Sequence, residues 1–286
     1  MDASPVASTS ETHGFQVLGA IEDRYDGMIV EADLLPSTVE EFRSRLEASI
    51  LHWKAQGKKG IWLKLPLSHV DLVPTAIKAG FGYHHADPGY CMLTLWLPEV
   101  PSTLPANASH QVGVGAFLLN DAGEVLAVQE KNGPLRGTGI WKLPTGLANH
   151  GEDICAAAVR EVKEETGIDA EFQEVLCFRQ AHGIAHGKSD LFFVCALRAL
   201  SHDITPQESE IADAKWLSLK SFREQPFFAD RPLFRTMMDI CAAQARGDYR
   251  GLRLCASGGD LQYQMYVGEV ASDTLQDDTD TIKQPQ

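Results

Sequence analysis

One stretch constrains this 286-residue chain more than any other: residues 146–168, GLANHGEDICAAAVREVKEETGI. Its spacing is G-x5-E-x7-R-E-U-x-E-E-x-G-U, with U aliphatic, and every fixed position is filled. At average residue usage such a match arises by accident on the order of once in ten million chains of this length. Glu152 and Asp153 follow Gly151 and suit the positive end of a helix. No Gly or Pro then intervenes until Gly167, the residue type that ends helices in a left-handed conformation. The helical period gathers Cys155, Ala158, Val159 and Val162 on one face, and Glu161, Glu164 and Glu165 on a neighbouring one.

That acidic face is costly as it stands. The three carboxylates repel one another near the negative end of the helix dipole. A hard divalent cation removes the conflict, because Mg²⁺ takes carboxylate oxygens and keeps waters and substrate phosphate as its other ligands. Arg160, one turn before Glu164, is placed to hold that carboxylate by a charge-assisted bond. A bare E-x-x-E-E is ordinarily a solvated acidic helix face. Here both glycines, Glu152 and Arg160 also stand at their required positions, which favours a site.

The pattern is the signature of the Nudix hydrolases, and the chain resembles that family. The resemblance implies an α/β (α+β) fold in which the motif forms a loop–helix–loop on a mixed sheet within a Nudix α/β/α sandwich. It also implies Mg²⁺ as cofactor, with Mn²⁺ as a substitute, and substrates that are nucleoside diphosphates linked to a further moiety. By the same resemblance Glu161 and Glu165 are the principal metal ligands, Glu164 is a ligand or a base, and the Gly146 carbonyl completes the shell. Glu152 takes a supporting role and Arg160 an orienting one. The family often draws a further glutamate from a loop well after the motif; that loop offers Glu208 and Glu210, of which Glu210, just before Ile211, is the favoured candidate. Arg136, Lys131 and Lys142 are candidate phosphate contacts, and Phe178, His182 and Phe192 candidates for stacking on adenine, although strand phenylalanines serve equally well as core.

Size and charge narrow the alternatives. The length admits two domains. A net charge of −14, from 25 basic and 39 acidic residues, argues against nonspecific affinity for nucleic acid or an anionic membrane. A phosphate-bearing substrate remains compatible with it, since bound metal reverses the local field. Six cysteines, none in a C-x-x-C pair and most within apolar runs, read as buried free thiols in a reducing compartment. The start, MDASPVASTSETHG, has neither the apolar core of a secretory signal nor the arginines of a transit peptide, and no apolar run reaches spanning length. The expected address is the cytoplasm or nucleus.

Residues 1–13 read as a polar, disordered tail, 14–98 as one domain, 99–110 (EVPSTLPANASH) as a linker, 111–247 as the motif-bearing domain, and 248–286 as a largely disordered acidic extension. In the first domain, Ser37 with Glu40 reads as a capping box opening a helix whose stripe is Val39, Phe42, Leu46, Ile50 and Trp53, stopped by Gly57. Strand-like runs begin at Phe15, Gly27, Ile61 and Tyr90, with a short helix around 71–78. This order, and the text IWLKLPLSHVDLVPTAIKAGFGYHHA, resembles half of a GNAT acetyltransferase. The acetyl-CoA loop of that family is broken at Ile29, where Gly or Ala is required, so the resemblance implies a smaller, non-catalytic, GNAT-like α/β pre-Nudix domain. Adjacent His84 and His85 on a strand are expected to point to opposite faces and to play structural or surface roles.

The stretches QEKNGPLRGTGIWKLPTG, REVKEETGID and SDLFFVC are similar to those of plant pyrophosphatases that act on ADP-ribose and NADH. That likeness implies hydrolysis to AMP and either ribose 5-phosphate or reduced nicotinamide mononucleotide, and a homodimer through the amino-terminal domain. The alternatives are a pyrophosphatase of another conjugate (FAD, a CoA ester or an oxidised nucleotide) and a regulatory protein that senses nucleotide without cleaving it.

Overall fold

The computed structural model describes residues 16–229, 231–255 and 264–268. Residues 1–13, expected to be a tail, and 256–263 and 269–286 of the expected extension lie outside the described residues. The chain divides into two compact units, Met1–Ala108 and Ser109–Gln286, each a mixture of helix and strand.

In the first unit β1 (Ile21–Glu22) pairs antiparallel with β2 (Met28–Val30), which runs parallel to β3 (Gly60–Pro66). The hairpin of β4 (Gly82–Asp87) and β5 (Tyr90–Trp96) completes the sheet, β5 pairing antiparallel with β3. The β2–β3 crossover carries helix α1 (Val39–Ala55), and α2 (Val73–Lys78) follows a 3₁₀ segment, Leu67–Leu72. Phe42, Leu46 and Trp53 of α1 are buried against Val30, Ile61, Leu63 and Leu93 of the sheet. Val39, expected in that stripe, is exposed, and Ser49 is buried within it because its Oγ accepts the Leu18 amide at 2.8 Å.

The cap of α1 lies one residue later than Ser37. Thr38 is the N-cap, and its Oγ1 accepts the Glu41 amide at 3.3 Å. Ser37–Glu40 and Thr38–Glu41 both satisfy the S/T-x-x-E spacing, and the burial of Phe42 selects the second.

The expectation that His84 and His85 face opposite ways does not hold. Tyr83 pairs with Leu93 and His85 with Met92, so His84 is the extra residue of a β-bulge. The bulge cancels the strand alternation, and the two imidazoles meet with their Nδ1 atoms 2.7 Å apart.

The second unit is built on a mixed sheet in the order β11-β7-β6-β10-β9. Its strands are β6 (His110–Leu119), β7 (Glu124–Glu130), β8 (Thr145–Leu147), β9 (Ala170–Ala185), β10 (Lys188–Ala199) and β11 (Ile211–Ser218). β10 runs parallel to β6, and the other pairings are antiparallel. Helix α3 (Ile154–Thr166) covers one face, where Ala157, Ala158 and Val162 meet Val114, Ala116, Leu118 and Leu197. Helices α4 (Leu219–Arg223), α5 (Pro226–Ala229) and α6 (Pro232–Ala245) lie over the other, where Phe222, Phe228, Met237, Met238 and Cys241 meet Phe117, Val125 and Val194. This is an α/β/α sandwich. A hairpin of β12 (Arg253–Cys255) and β13 (Met265–Val267), unexpected from the sequence, lies beyond it. All six cysteines are free, but only Cys195 and Cys241 are buried and Cys255 is exposed, which corrects the reading of most as buried thiols.

The N-cap register is directly testable. Thr38→Ala should lower stability by about 1 kcal/mol, whereas Ser37→Ala should change it by less than about 0.5 kcal/mol, measured by urea unfolding. The reverse order would return the cap to Ser37.

Candidate active site

The site begins where β6 and β7 part. They register only at Leu119 and Val125, and beyond that pair the segment 142–147 wedges between them. Lys142 bridges to Val128 of β7, the Ala116 amide bonds the Pro144 carbonyl at 2.9 Å, and β8 pairs with Gly113, Val114 and Gly115 of β6. This wedge sets Gly146 directly under α3. A side chain at Gly146 would collide with the Glu161 carboxyl group, so only glycine lets that carboxylate lie against the strand.

The helix is held by its ends. Gly167 takes φ +73°, and its amide bonds the Lys163 carbonyl. Asp153 is the N-cap residue but makes no side-chain cap; the Cys155 amide bonds the Tyr266 hydroxyl at 3.3 Å, and Glu152 closes the preceding loop by accepting the Asn149 amide at 2.8 Å. The buried stripe is Ala157, Ala158, Val162 and Glu165, not the expected 155/158/159/162 set. Cys155 and Val159 are half-buried and line an open groove of about 880 Å³ on the outer side of α3. That rotation carries Glu161 and Glu165 toward the sheet and leaves Glu164 about half exposed.

Arg160 uses all five of its N–H donors. Nε and Nη2 bond the two oxygens of Glu152 at 2.7 and 2.9 Å; Nη1 reaches Glu161 at 2.8 Å and Glu164 at 2.7 Å; Nη2 also reaches the Leu147 carbonyl at 2.9 Å. The Glu152 bond, first among these, raises the guanidinium pKa, and the same pairing lowers that of Glu152. Burial raises the Glu161 pKa, against the opposing effect of Arg160.

Glu165 is left over. It is 5% exposed, and its Oε2 is buried with no hydrogen-bond partner. Burial pushes its carboxyl up to about 7; Lys142 pulls the other way, and Glu161 and Glu130 add to the rise. Lys142 itself is engaged with Glu130 at 2.8 Å and with the Thr145 hydroxyl at 2.6 Å. Five carboxylates (Glu130, Glu152, Glu161, Glu164 and Glu165) thus share two cations, Arg160 and Lys142.

Among the described residues no three histidine, cysteine or carboxylate side chains converge as a ready-made metal cluster. The residues nevertheless fit a hard divalent cation. The orphaned Glu165 oxygen, the Glu161 carboxylate on its glycine shelf and the all-oxygen character of the set are what such an ion takes. Glu164, also expected as a ligand, is turned to Arg160 and solvent.

The remaining candidates stand in other contacts. Arg136 is exposed in the glycine-rich loop. Phe178 is 58% exposed and stacks on Phe193, with centroids 5.3 Å apart. His182 bonds the Ser189 hydroxyl at 2.8 Å. Glu210 is exposed, and its carbonyl accepts the Lys131 amide at 2.7 Å. Lys131 Nζ bonds the Glu208 carbonyl at 2.5 Å, so it secures this loop instead of standing ready for phosphate. The loop is tied to the site through the Gln207 amide, which bonds the Glu165 carbonyl at 3.0 Å.

Sequence reasoning missed Glu130 and Thr145, which hold Lys142, and the Arg179–Asp190 pair at 3.2 Å beside Phe192. Gly113 and Gly115 leave room for the Phe192 ring, over which Arg179 lies at 4.9 Å. The small-residue alternation in VGVGAFLL was the one available signal.

Comparison with known proteins follows the same division of the chain. Residues 18–97 match a family model described as a Nudix hydrolase domain, and residues 109–237 match the NUDIX domain. Nudix hydrolase 8 of Arabidopsis thaliana is 54% identical over 261 residues, covering 90% of this chain and 71% of the relative. The chain belongs to the Nudix hydrolase family. Nudix hydrolase 2 of the same plant is 49% identical over 87% of this chain and 90% of its own. The human nucleoside diphosphate-linked moiety X motif 6 is 39% identical over 69% of this chain and 64% of its own. A solved Nudix hydrolase from Nitrosomonas europaea is 26% identical over 47% of this chain and 90% of its own, with a TM-score of 0.39. No helix of this Nudix hydrolase among the described residues is long and apolar enough to cross a membrane.

The Glu165 environment predicts a trade between stability and function. Ionising a carboxyl whose folded pKa is raised from 4.5 to about 7 penalises the folded state. The penalty is absent below pH 4.5, grows through the window to pH 7 and is complete above it. In metal-free protein, Glu165→Gln should therefore gain on the order of 1–3 kcal/mol at pH 8 and lose that gain by pH 4.5. Urea unfolding in EDTA measures it; a variant less stable at pH 8 would refute the buried-charge account.

Proposed function

We propose that this Nudix hydrolase cleaves the pyrophosphate bond of nucleoside diphosphate conjugates, with ADP-ribose and NADH its foremost substrates and AMP a product. The observation that carries the reading is the buried, partnerless Glu165 oxygen beside Glu161 and Gly146, a concentration of negative charge with too few cations. Glu161, Glu165 and the Gly146 carbonyl would hold Mg²⁺, or Mn²⁺ as a substitute, which would supply charge neutralisation for the diphosphate and activation of the attacking water.

The protein's own residues do the rest. Arg160 keeps Glu152, Glu161 and Glu164 in fixed positions, so the acidic cluster needs little rearrangement when the conjugate binds. Glu164, exposed and held by one guanidinium nitrogen, is the nearer candidate for the general base; Glu210, on the loop tied to the end of α3, is the second. Lys142 sits beside Glu165 and Arg136 on the loop before it, and both serve as phosphate contacts in this reading. The open face of Phe178 and the imidazole of His182 lie on the same strand and are assigned to the adenine end. The resemblance of QEKNGPLRGTGIWKLPTG, REVKEETGID and SDLFFVC to plant pyrophosphatases of ADP-ribose and NADH supports this substrate class, and relatives near 50% identity across most of the chain support Nudix hydrolysis.

A panel of ADP-ribose, NADH, FAD, CoA esters and oxidised nucleotides, incubated with Mg²⁺, tests it through AMP or nucleotide release. ADP-ribose and NADH should give the highest kcat/KM, and Glu165→Gln should lower it at least about a hundredfold. Equal turnover by both proteins would reject the site; a preference for another conjugate would reject the substrate alone.

A further inference from the structure

The hairpin of β12 and β13 lies beyond residues 109–237, the stretch that matches the NUDIX domain, yet it reaches the first turn of α3. The chain is first pinned to β9. The buried Glu174 carboxylate accepts the Gly251 amide at 2.8 Å, and Leu252 bridges Val175 of the same strand. Only glycine fits at 251, because a Cβ there would collide with the Val175 carbonyl oxygen. Leu254 of β12 then pairs with Tyr266 of β13, whose ring meets Phe172 edge-on at 6.1 Å. Leu252 and Tyr266 both pack on the core that α3 shares with the sheet.

A closed set of hydrogen bonds joins this hairpin to the helix, and every donor in it meets an acceptor. The Cys155 amide donates to the Tyr266 hydroxyl at 3.3 Å, and that hydroxyl donates onward to Gln264 Oε1 at 3.3 Å. The Cys155 thiol donates to the same oxygen at 3.4 Å, and Gln264 Nε2 donates to the Asp153 carboxylate at 2.6 Å. A Gln264 amide turned the other way would set its oxygen against that carboxylate, so the network fixes its orientation. Asp153 does not cap the helix with its own side chain. Tyr266, 111 residues away from Cys155, takes one of the orphan N–H groups of the first turn instead.

We propose that, given the hydrolytic role of the α3 carboxylates, Tyr266 and Gln264 are positioning residues that act on them through Glu152. Asp153, held by Gln264, directly follows Glu152 in the chain. Glu152 grips Arg160 with both oxygens, at 2.7 and 2.9 Å, and Arg160 in turn holds Glu161 and Glu164. Rigid peptide planes leave only two soft rotations per residue, so anchoring residues 153 and 155 confines the backbone at 152 as well. A helix end whose N–H groups lose their partners frays, and fraying here would loosen Glu152 from Arg160. The hairpin therefore works as a latch on the start of the acidic helix, supplied from outside the matched domain.

Two variants of the full chain separate the latch from ordinary packing. Tyr266→Phe keeps the ring on Phe172 and removes only the hydroxyl, and Gln264→Ala cuts the bond to Asp153 from an exposed position. On the conjugate that the wild type cleaves fastest with Mg²⁺, each should lower kcat about three- to tenfold and leave KM within about twofold. Combined with Glu152→Gln, which itself lowers kcat, neither should lower it further, because both act through that carboxylate. NMR gives a readout without turnover: the Arg160 Nε–H, bonded to Glu152, should exchange with water several-fold faster in either variant. Faster exchange in a protein that cleaves no conjugate would reject the hydrolytic role and uphold the latch on Glu152. Unchanged Arg160 exchange in both variants, or losses in kcat that add to that of Glu152→Gln, overturns the proposal.

Discussion

The guanidinium of Arg160 is the constraint from which the geometry of this candidate active site follows. Its five donors are all committed, to three carboxylates and one main-chain carbonyl. Lysine could not substitute, since an ammonium offers three donors from one point and no planar fork. Because Arg160 spans Glu152 before the helix and Glu164 in its last turn, it joins the loop and the helix into one rigid piece. It also leaves no donor for Glu165, and the charge that the site must attract from outside is concentrated there.

The wedge at 142–147 completes the arrangement. By separating β7 from β6, the chain places a strand with a glycine at its centre directly beneath the acidic helix. Gly146 has no side chain to displace the Glu161 carboxylate, and Lys142 is fixed by Glu130 and Thr145 close enough to moderate Glu165 without pairing it. The buried carboxyl is thus kept titratable near neutrality by burial, the largest influence on it. A site so arranged is less stable empty than it would be with a neutral side chain, a common cost of sites built to bind.

The first unit shows how a register shift re-aims side chains. One extra residue in β4 turns two histidines that strand geometry would separate into a facing pair, their Nδ1 atoms 2.7 Å apart and their far nitrogens on the Pro105 carbonyl and the Tyr90 hydroxyl.

The sequence alone determined the Nudix motif, its helix between Gly151 and Gly167, the acidic spacing and the mixed α+β class, because these depend on contacts three or four residues apart and on a fixed spacing of residue types. The α1 cap was legible only to within one residue, since two overlapping capping signals satisfied the same rule. Other features waited on tertiary structure. Which face of α3 is buried depends on where β6 and β8 lie, so Cys155 and Val159 exchanged places with Ala157 and Glu165. The roles of Glu130, Thr145 and the Arg179–Asp190 pair come from strands far apart in sequence. The meeting of His84 with His85 depends on a register shift between β4 and β5 that no local pattern encodes. Spacing along a helix is a property of the chain, but burial and register are settled only by what packs or pairs against it.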